Sequence, residues 1–323
     1  MQLPSPSHIL PLPSSIPSPA MLASADALPD LQGRTYLITG ANSGLGYHTA
    51  LGLGKKGARV IMACRNPAKA ADALAQLKAA GATGCETATL DLASLASIQR
   101  FAESIVAEGG PLHGLINNAG IMATPHHLTQ DGFEAQIGTN HLGHFALTGR
   151  LLPALLRTPG ARVVNLSSYV HRLGVVRLDD LMMTRGYSRW PAYFQSKLCN
   201  LLFTLELKRR ARGRLTTVAA HPGYADTNLQ TAAAKMDGSK LAEGFYGLGG
   251  TLFAQSAERG ALPSLLAAAM PNIEDGAFYG PSWQLWGQAT LSPCAARGRD
   301  EATAKGLWDK SVSLTGVTYA ELD

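Results

Sequence analysis

The 323-residue chain is short of charge, of cysteine and of long apolar runs, and each shortage removes a class of function. Only 16% of its residues are Asp, Glu, Lys or Arg, and the formal net charge is +5. No cluster of Lys and Arg is interleaved with aromatic residues, which speaks against a nucleic-acid surface. A mildly basic surface suits an anionic small molecule better. The four cysteines, Cys64, Cys85, Cys199 and Cys294, are widely spaced and form no C-x-x-C pair. That argues against a disulfide framework and fits reduced thiols in a cytoplasmic setting. No apolar run reaches the roughly 18 residues a membrane-spanning helix needs, so no transmembrane anchor is expected. Lys and Arg are also missing from the opening stretch, MQLPSPSHILPLPSSIPSPA. This segment lacks the basic start of a secretory signal and the arginines of a mitochondrial transit peptide. Its Pro and Ser content predicts a disordered tail over residues 1–30, and Met21 is an equally good start.

What is present is a 46% hydrophobic chain punctuated by 34 glycines and 18 prolines. From Arg34 onward short apolar runs alternate with longer amphipathic ones. TYLITG, ARVIMACR, CETATLDL, LHGLINNAG, ARVVNLSS and LTTVAAHPG read as strands. Helical patterns separate them, among them GLGYHTALGLGKKG and the long EAQIGTNHLGHFALTGRLLPALL. Strands joined by helices of this length predict β-α-β units: an α/β, Rossmann-type, doubly wound parallel sheet with helices on both faces. No repeat and no internal linker interrupts residues 31–323, so a single domain is expected.

TGANSGLG follows the first strand and opens a helix. Gly40, Gly44 and Gly46 form G-x-x-x-G-x-G, a relative of the dinucleotide fingerprint. Glycines there let the backbone turn tightly and approach a pyrophosphate at the helix N-terminus; a glycine turn that merely ends a strand is the plain alternative. An NAD-preferring site carries an acid at the end of the next strand, about 20 residues on. Here MACRN offers Cys64 and Arg65 and no acid, and an arginine can pair with a 2′-phosphate. This favours NADP(H) over NAD(H). Asp91 and Asn118 fall at strand ends, where such sheets bind ligands, and Asn117 reads as structural.

AYFQSKLCN places Tyr193 and Lys197 four apart on a helix, hence on one face. An ammonium beside a phenol lowers the phenol's pKa and makes it an acid/base near neutral pH. An exposed helix carries the same pair by chance, so the rest of the chain must support the reading.

The ordered set TGANSGLG, NNAG, TNHLGHF, VVNLSS, YFQSK and HPG resembles the short-chain dehydrogenase/reductase family, strongly from Leu31 to Thr227 and more loosely beyond. The resemblance implies Tyr193 as acid/base, Lys197 lowering its pKa and bonding the nicotinamide ribose, and Ser168 bonding the substrate oxygen. It implies that Asn140 holds a water in a proton relay behind Lys197. Gly40, Asn42, Ser43, Gly44, Leu45, Gly46, Arg65, Asp91, Leu92, Asn118, Ala119 and Gly120 would hold the cofactor, together with Tyr193 and Lys197. Pro222, Gly223 and Thr227 would line its nicotinamide end. The family commonly forms homodimers or homotetramers. Ser168 and Tyr193 stand 25 residues apart, roughly twice the usual spacing. The insert YVHRLGVVRLDDLMMTRGYSRWPA resembles the subgroup of the retinol dehydrogenases and the WW-domain oxidoreductase. Light-dependent protochlorophyllide reductases are near relatives, but they carry cysteine where this chain has Tyr224. Retinol dehydrogenases generally carry an N-terminal membrane anchor, which the opening segment does not resemble.

The function implied is carbonyl–alcohol interconversion on an apolar small molecule. Two rivals stand beside it: reduction of a C=C bond, and a nucleotide-binding scaffold without turnover, against which the intact set Asn140, Ser168, Tyr193 and Lys197 argues. Residues 228–250, rich in Ala and Gly, fall where the family has a substrate lid; a surface excursion fits equally. His141 and His144 lack the third ligand a metal needs, so no metal is expected. Trp283, Trp286 and Trp308 read as core or as a cover over an apolar substrate.

Overall fold

The computed structural model describes residues 20–224 and 255–322. The elements run β1 (Thr35–Thr39), α1 (Gly44–Lys55), β2 (Arg59–Cys64), α2 (Pro67–Ala79), β3 (Cys85–Thr89), α3 (Leu95–Ala107) and β4 (Gly114–Asn117). A broken helix follows: α4 (Ala135–Ile137), a π-helical turn (Gly138–Leu142), α5 (Gly143–Arg150) and α6 (Leu152–Leu156). Then come β5 (Arg162–Leu166), α7 (Arg189–Ala211), β6 (Thr216–Ala220), α8 (Ala257–Ala269), β7 (Phe278–Pro281), β8 (Ala289–Leu291) and α9 (Glu301–Thr315).

The strands form one sheet in the order β3-β2-β1-β4-β5-β6-β7-β8. Successive side chains of a strand point to opposite faces, and here both faces are covered, which is why the strands read as unbroken apolar runs. In β1, Tyr36 and Ile38 enter the core shared with α1, α2 and α8, while Leu37 enters the one shared with α3, α5, α7 and α9. The pairs from β3 to β7 are parallel, as the alternating pattern predicts. β8 departs from that pattern and runs antiparallel to β7. Its connection, residues 282–288, is too short for the crossover a parallel pair requires.

Two further expectations are corrected. The long helical pattern is not one helix, because a π-helical turn interrupts it and Pro153 starts a new segment at α6. The tail does not extend to residue 30. Leu22 is 1% exposed and exchanges backbone hydrogen bonds of 2.9 Å with Ala289, beside the β8 edge. Leu28 and Leu31 are buried in the same core. Apolar burial against the sheet fixes this stretch despite its Pro- and Ser-rich neighbourhood. Thr227 and the expected lid at 228–250 lie outside the described residues. Among the described residues no helix is long and apolar enough to cross a membrane.

Candidate active site

The sheet order reverses between β1 and β4, and the crevice at their carboxyl ends is where a ligand of such a sheet sits. The sequence builds that crevice from backbone. Gly40 and Gly44 have φ of +67° and +53°, a left-handed conformation that favours glycine. A Cβ on Gly46 would lie 2.5 Å from both the Gly40 carbonyl and Asn118 Nδ2, so only glycine lets α1 start this close to β1 and β4. Ser43, the N-cap of α1, makes no side-chain cap bond, which leaves the first N–H groups of the helix free for an anion. Asn118 braces the loop, donating from Nδ2 to the Thr39 carbonyl at 2.7 Å. Thr39 Oγ1 in turn accepts from the N–H groups of Asn118 and Ala119, both at 2.9 Å.

A cavity of about 320 Å³ opens over this loop. Gly40, Asn42, Ser43, Gly44, Leu45, Gly46, Arg65, Asp91, Leu92, Asn118, Ala119 and Gly120 all line it, together with Ala63, Leu90, Ile121 and Thr139. Nothing lies within 4 Å of a Cβ built on Gly44, so the cradle is open toward the cavity. The glycine cradle and the free helix N-terminus fit a dinucleotide. Arg65 is exposed at the rim and makes no ion pair among the described residues. Asn117 does not face the cavity. Its amide bonds Thr148 and Asn165 at 3.0 and 2.8 Å and ties β4 to β5, the structural role expected of it.

A second cavity, of about 300 Å³, shares Leu45, Asn118, Gly120 and Ile121 with the first. Ser168, Tyr193 and Lys197 converge on it, and Pro222 and Gly223 close one side. Of the two serines in VVNLSS, Ser167 spends its hydroxyl on the Lys197 carbonyl at 2.7 Å, which leaves Ser168 as the one beside the Tyr193 hydroxyl. Lys197 Nζ lies 5.6 Å from the Tyr193 ring centre and donates to the Leu166 carbonyl at 3.3 Å.

The electrostatics differ from the sequence expectation. Burial pushes the Tyr193 phenol up to about 12, with the Ser168 hydroxyl pulling it partly back. Burial also pulls the Lys197 ammonium down to about 8. Desolvation of the buried phenolate outweighs the pull of the Ser168 hydrogen bond and favours the protonated phenol at neutral pH.

Asn140 sits in the π-helical turn. Its Oδ1 accepts from Ile121 N–H at 2.8 Å, and its Nδ2 donates to the Ile121 carbonyl and to Ser196 Oγ, each at 2.9 Å. The side chain is thus committed to fixing the segment that follows β4 at Ile121. The Asn140 carbonyl meets His144 Nδ1 at 3.0 Å, and His144 Nε2 meets Thr39 Oγ1 at 2.9 Å. Neutral His144, held down to about 4 by burial, links the kinked helix to the glycine loop. His141 instead meets Ser311 at 2.9 Å, so the two imidazoles serve different partners.

Other contributors were missed by sequence reasoning. His171, from the insert, meets the Ser168 carbonyl through Nδ1 at 2.7 Å and accepts from Ala295 N–H through Nε2 at 3.2 Å. The second bond puts the ring proton on Nδ1 and holds the Ser168 backbone in place. His221 does the matching task for Gly223, accepting its N–H at 3.2 Å and meeting Ser292 Oγ at 3.0 Å. Both rings pack on Phe278, with centres 5.2 and 4.8 Å away. The insert and the last strands together therefore clamp the serine and the glycine. The cavity's apolar wall comes from Met122, Tyr169, Val170, Trp190, Tyr224 and Leu285. Trp308 is core, whereas Trp283 and Trp286 are 79% and 45% exposed.

The family model described as short chain dehydrogenase matches residues 34–238. The chain belongs to the short-chain dehydrogenase family. Mouse retinol dehydrogenase 14 (Mus musculus) is 39% identical over 299 residues, covering 89% of this chain and 87% of that protein. Human retinol dehydrogenase 12 (Homo sapiens) is 40% identical over 90% of this chain and 88% of its own length. These relatives place this short-chain dehydrogenase in the retinol dehydrogenase-like subgroup that the insert resembles. A crystal structure of an uncharacterized protein from Mycobacterium paratuberculosis is 42% identical, covers 92% of this chain and 99% of its own, and superposes with a TM-score of 0.77. The Pseudomonas aeruginosa RhlG/NADP active-site complex, at 24% identity, 78% and 95% coverage and a TM-score of 0.61, shares the fold of this short-chain dehydrogenase.

Proposed function

We propose that the protein is an NADP(H)-dependent oxidoreductase that interconverts a carbonyl and an alcohol on an apolar small molecule, with Tyr193 as the acid/base. The observation that carries this is the adjacency of the two cavities. Across a shared lining of Leu45, Asn118, Gly120 and Ile121 the glycine cradle adjoins a mostly apolar chamber on which Ser168, Tyr193 and Lys197 converge. The name of the relatives, retinol dehydrogenase, supports an alcohol–carbonyl pair on an apolar molecule.

A nicotinamide dinucleotide, held in the cradle, would supply the hydride-transfer chemistry. The loop from Gly40 to Gly46 and the N-terminus of α1 would hold its pyrophosphate, Arg65 its 2′-phosphate, and Pro222 and Gly223 its nicotinamide end. The chain's own residues handle the substrate oxygen. Ser168 donates a hydrogen bond to it and orients it. Tyr193, protonated at neutral pH, gives that oxygen its proton in reduction and takes one back in oxidation. Lys197, cationic below about 8, stabilises the phenolate left behind. The apolar wall excludes water and favours a substrate with an extended hydrocarbon part.

Titration of the purified protein with NADPH and NADH, followed by nicotinamide fluorescence, tests the cofactor assignment. NADPH is expected to bind about tenfold or more tightly, and Arg65→Ala to erase most of that difference, since a charge-assisted hydrogen bond to phosphate contributes about 1.5–3 kcal/mol. Equal binding in the wild type contradicts the NADP(H) assignment. Binding of neither nucleotide removes the catalytic reading with it.

A further inference from the structure

The opposite end of the sheet carries charge that this reaction does not use. β1, β4 and β5 start side by side there, with Tyr36 paired to Gly114 and Gly114 to Arg162. Arg34, His113 and Arg162, each at or just before the first residue of its strand, are therefore brought to one edge. With Tyr36 and Asp30 they line a cavity of about 270 Å³, closed on one side by the end of α8 at Ala268 and Ala269.

Apart from the Asp30 carboxylate, the polar side chains on this wall offer donors. Arg162 is half-buried and anchored, its Nη1 donating to the carbonyls of Ala267 and Met270 at 3.1 and 2.8 Å. His113 Nδ1 accepts from Thr35 N–H at 3.0 Å, which places the ring proton on Nε2. Tyr36 is 2% exposed, and its hydroxyl has no hydrogen-bond partner among the described residues. The carboxylate present, Asp30, turns Oδ1 to Gln32 N–H at 3.0 Å. Among the described residues neither Arg34 nor Arg162 has a carboxylate at ion-pair distance. Burial, and after it the charge of Arg34, disfavours the charged forms of both Arg162 and His113. Two guanidiniums, an imidazole N–H and a phenol O–H around one cavity, with no carboxylate at ion-pair distance from either guanidinium among the described residues, match an acceptor-only ligand.

We propose that this cavity binds the oxyanion of a small molecule, a phosphate or carboxylate group, through Arg34, Arg162, His113 and Tyr36. The site is separate from the cofactor cradle, because β1 carries Arg34 at its start and Gly40 just past its end.

Isothermal titration of the full chain with inorganic phosphate and, separately, with malonate tests this, with ionic strength held constant by chloride. Saturable binding of at least one is expected, and which of the two binds names the source of the oxyanion. Arg34→Gln, a change at an exposed position, is expected to weaken that binding about tenfold or more. Arg65→Ala, at the cofactor end, is expected to leave it unchanged. Arg34→Glu provides a second check: the new carboxylate supplies the missing counter-charge, so binding is lost while Tm without ligand holds or rises. The proposal is overturned by any of four results. These are no saturable binding of either anion by about 10 mM, binding that survives Arg34→Gln, binding that disappears in Arg65→Ala, or a fall in Tm for Arg34→Glu.

Discussion

The cofactor half of the site and its substrate half are built by different means. Around the cradle, the decisive features are backbone ones: positive φ at Gly40 and Gly44, the contact that forbids a side chain at Gly46, and free N–H groups at the start of α1. Around the substrate chamber they are side chains delivered from far along the chain. Trp190 comes from the start of α7, Val170 from the insert, and Leu285 from the connection between β7 and β8. A backbone requirement leaves a residue-type signature, because only glycine meets it. A wall of apolar side chains leaves none, because many residues satisfy it equally.

This difference can be broken or sharpened by substitution. Of three substitutions around the catalytic phenol and the cradle, the largest effect is expected from Ser168→Ala in the substrate half. Removing a positioned donor to the reacting oxygen should lower kcat by about a hundredfold, with NADPH affinity unchanged in the fluorescence titration. Comparable loss of cofactor affinity would mean that the two halves are not separable. Gly46→Ala strikes the other half. The added methyl group would force the loop, Asn118 or α1 to move, and overpacking of this kind costs about 1–3 kcal/mol. Thermal unfolding should show that loss, and NADPH affinity should fall by about tenfold or more. A variant with unchanged affinity would show that the cradle does not bind the cofactor. The smallest effect is expected from Trp190→Ala. The ring is 40% exposed at the chamber wall, and its loss should raise KM for long apolar substrates several-fold, up to about tenfold. Short substrates and cofactor affinity should be little altered; a uniform loss across substrate lengths would remove Trp190 from the substrate wall.

The same division explains what could be read from the sequence. The sheet was legible as far as β6, because its strands are apolar on both faces and separated by helices. β7 and β8 were not, since FYGP and ATL are too short to show a pattern. Missing them meant missing what they support: the bridge to Leu22, and the packing of His171 and His221 on Phe278. Both histidines gave a weak signal, His171 just past VVNLSS and His221 as the first residue of HPG, but their partners Ala295 and Ser292 lie more than 70 residues away. The i, i+4 spacing brought Tyr193 and Lys197 together as expected. It carried no information about burial, and burial is what raises the phenol instead of lowering it. The π-helical turn at Asn140 was equally invisible, because its residues are as compatible with a regular helix.

The most direct test of the central claim measures NADPH oxidation with a long-chain apolar aldehyde for wild type and Tyr193→Phe, alongside NADPH affinity for both. The phenol is read as the proton donor and not as part of the cradle. Tyr193→Phe should therefore lose turnover by about a hundredfold to ten-thousandfold, as removal of a general acid does, while NADPH affinity stays within about twofold of wild type. Turnover retained without the hydroxyl would contradict the account.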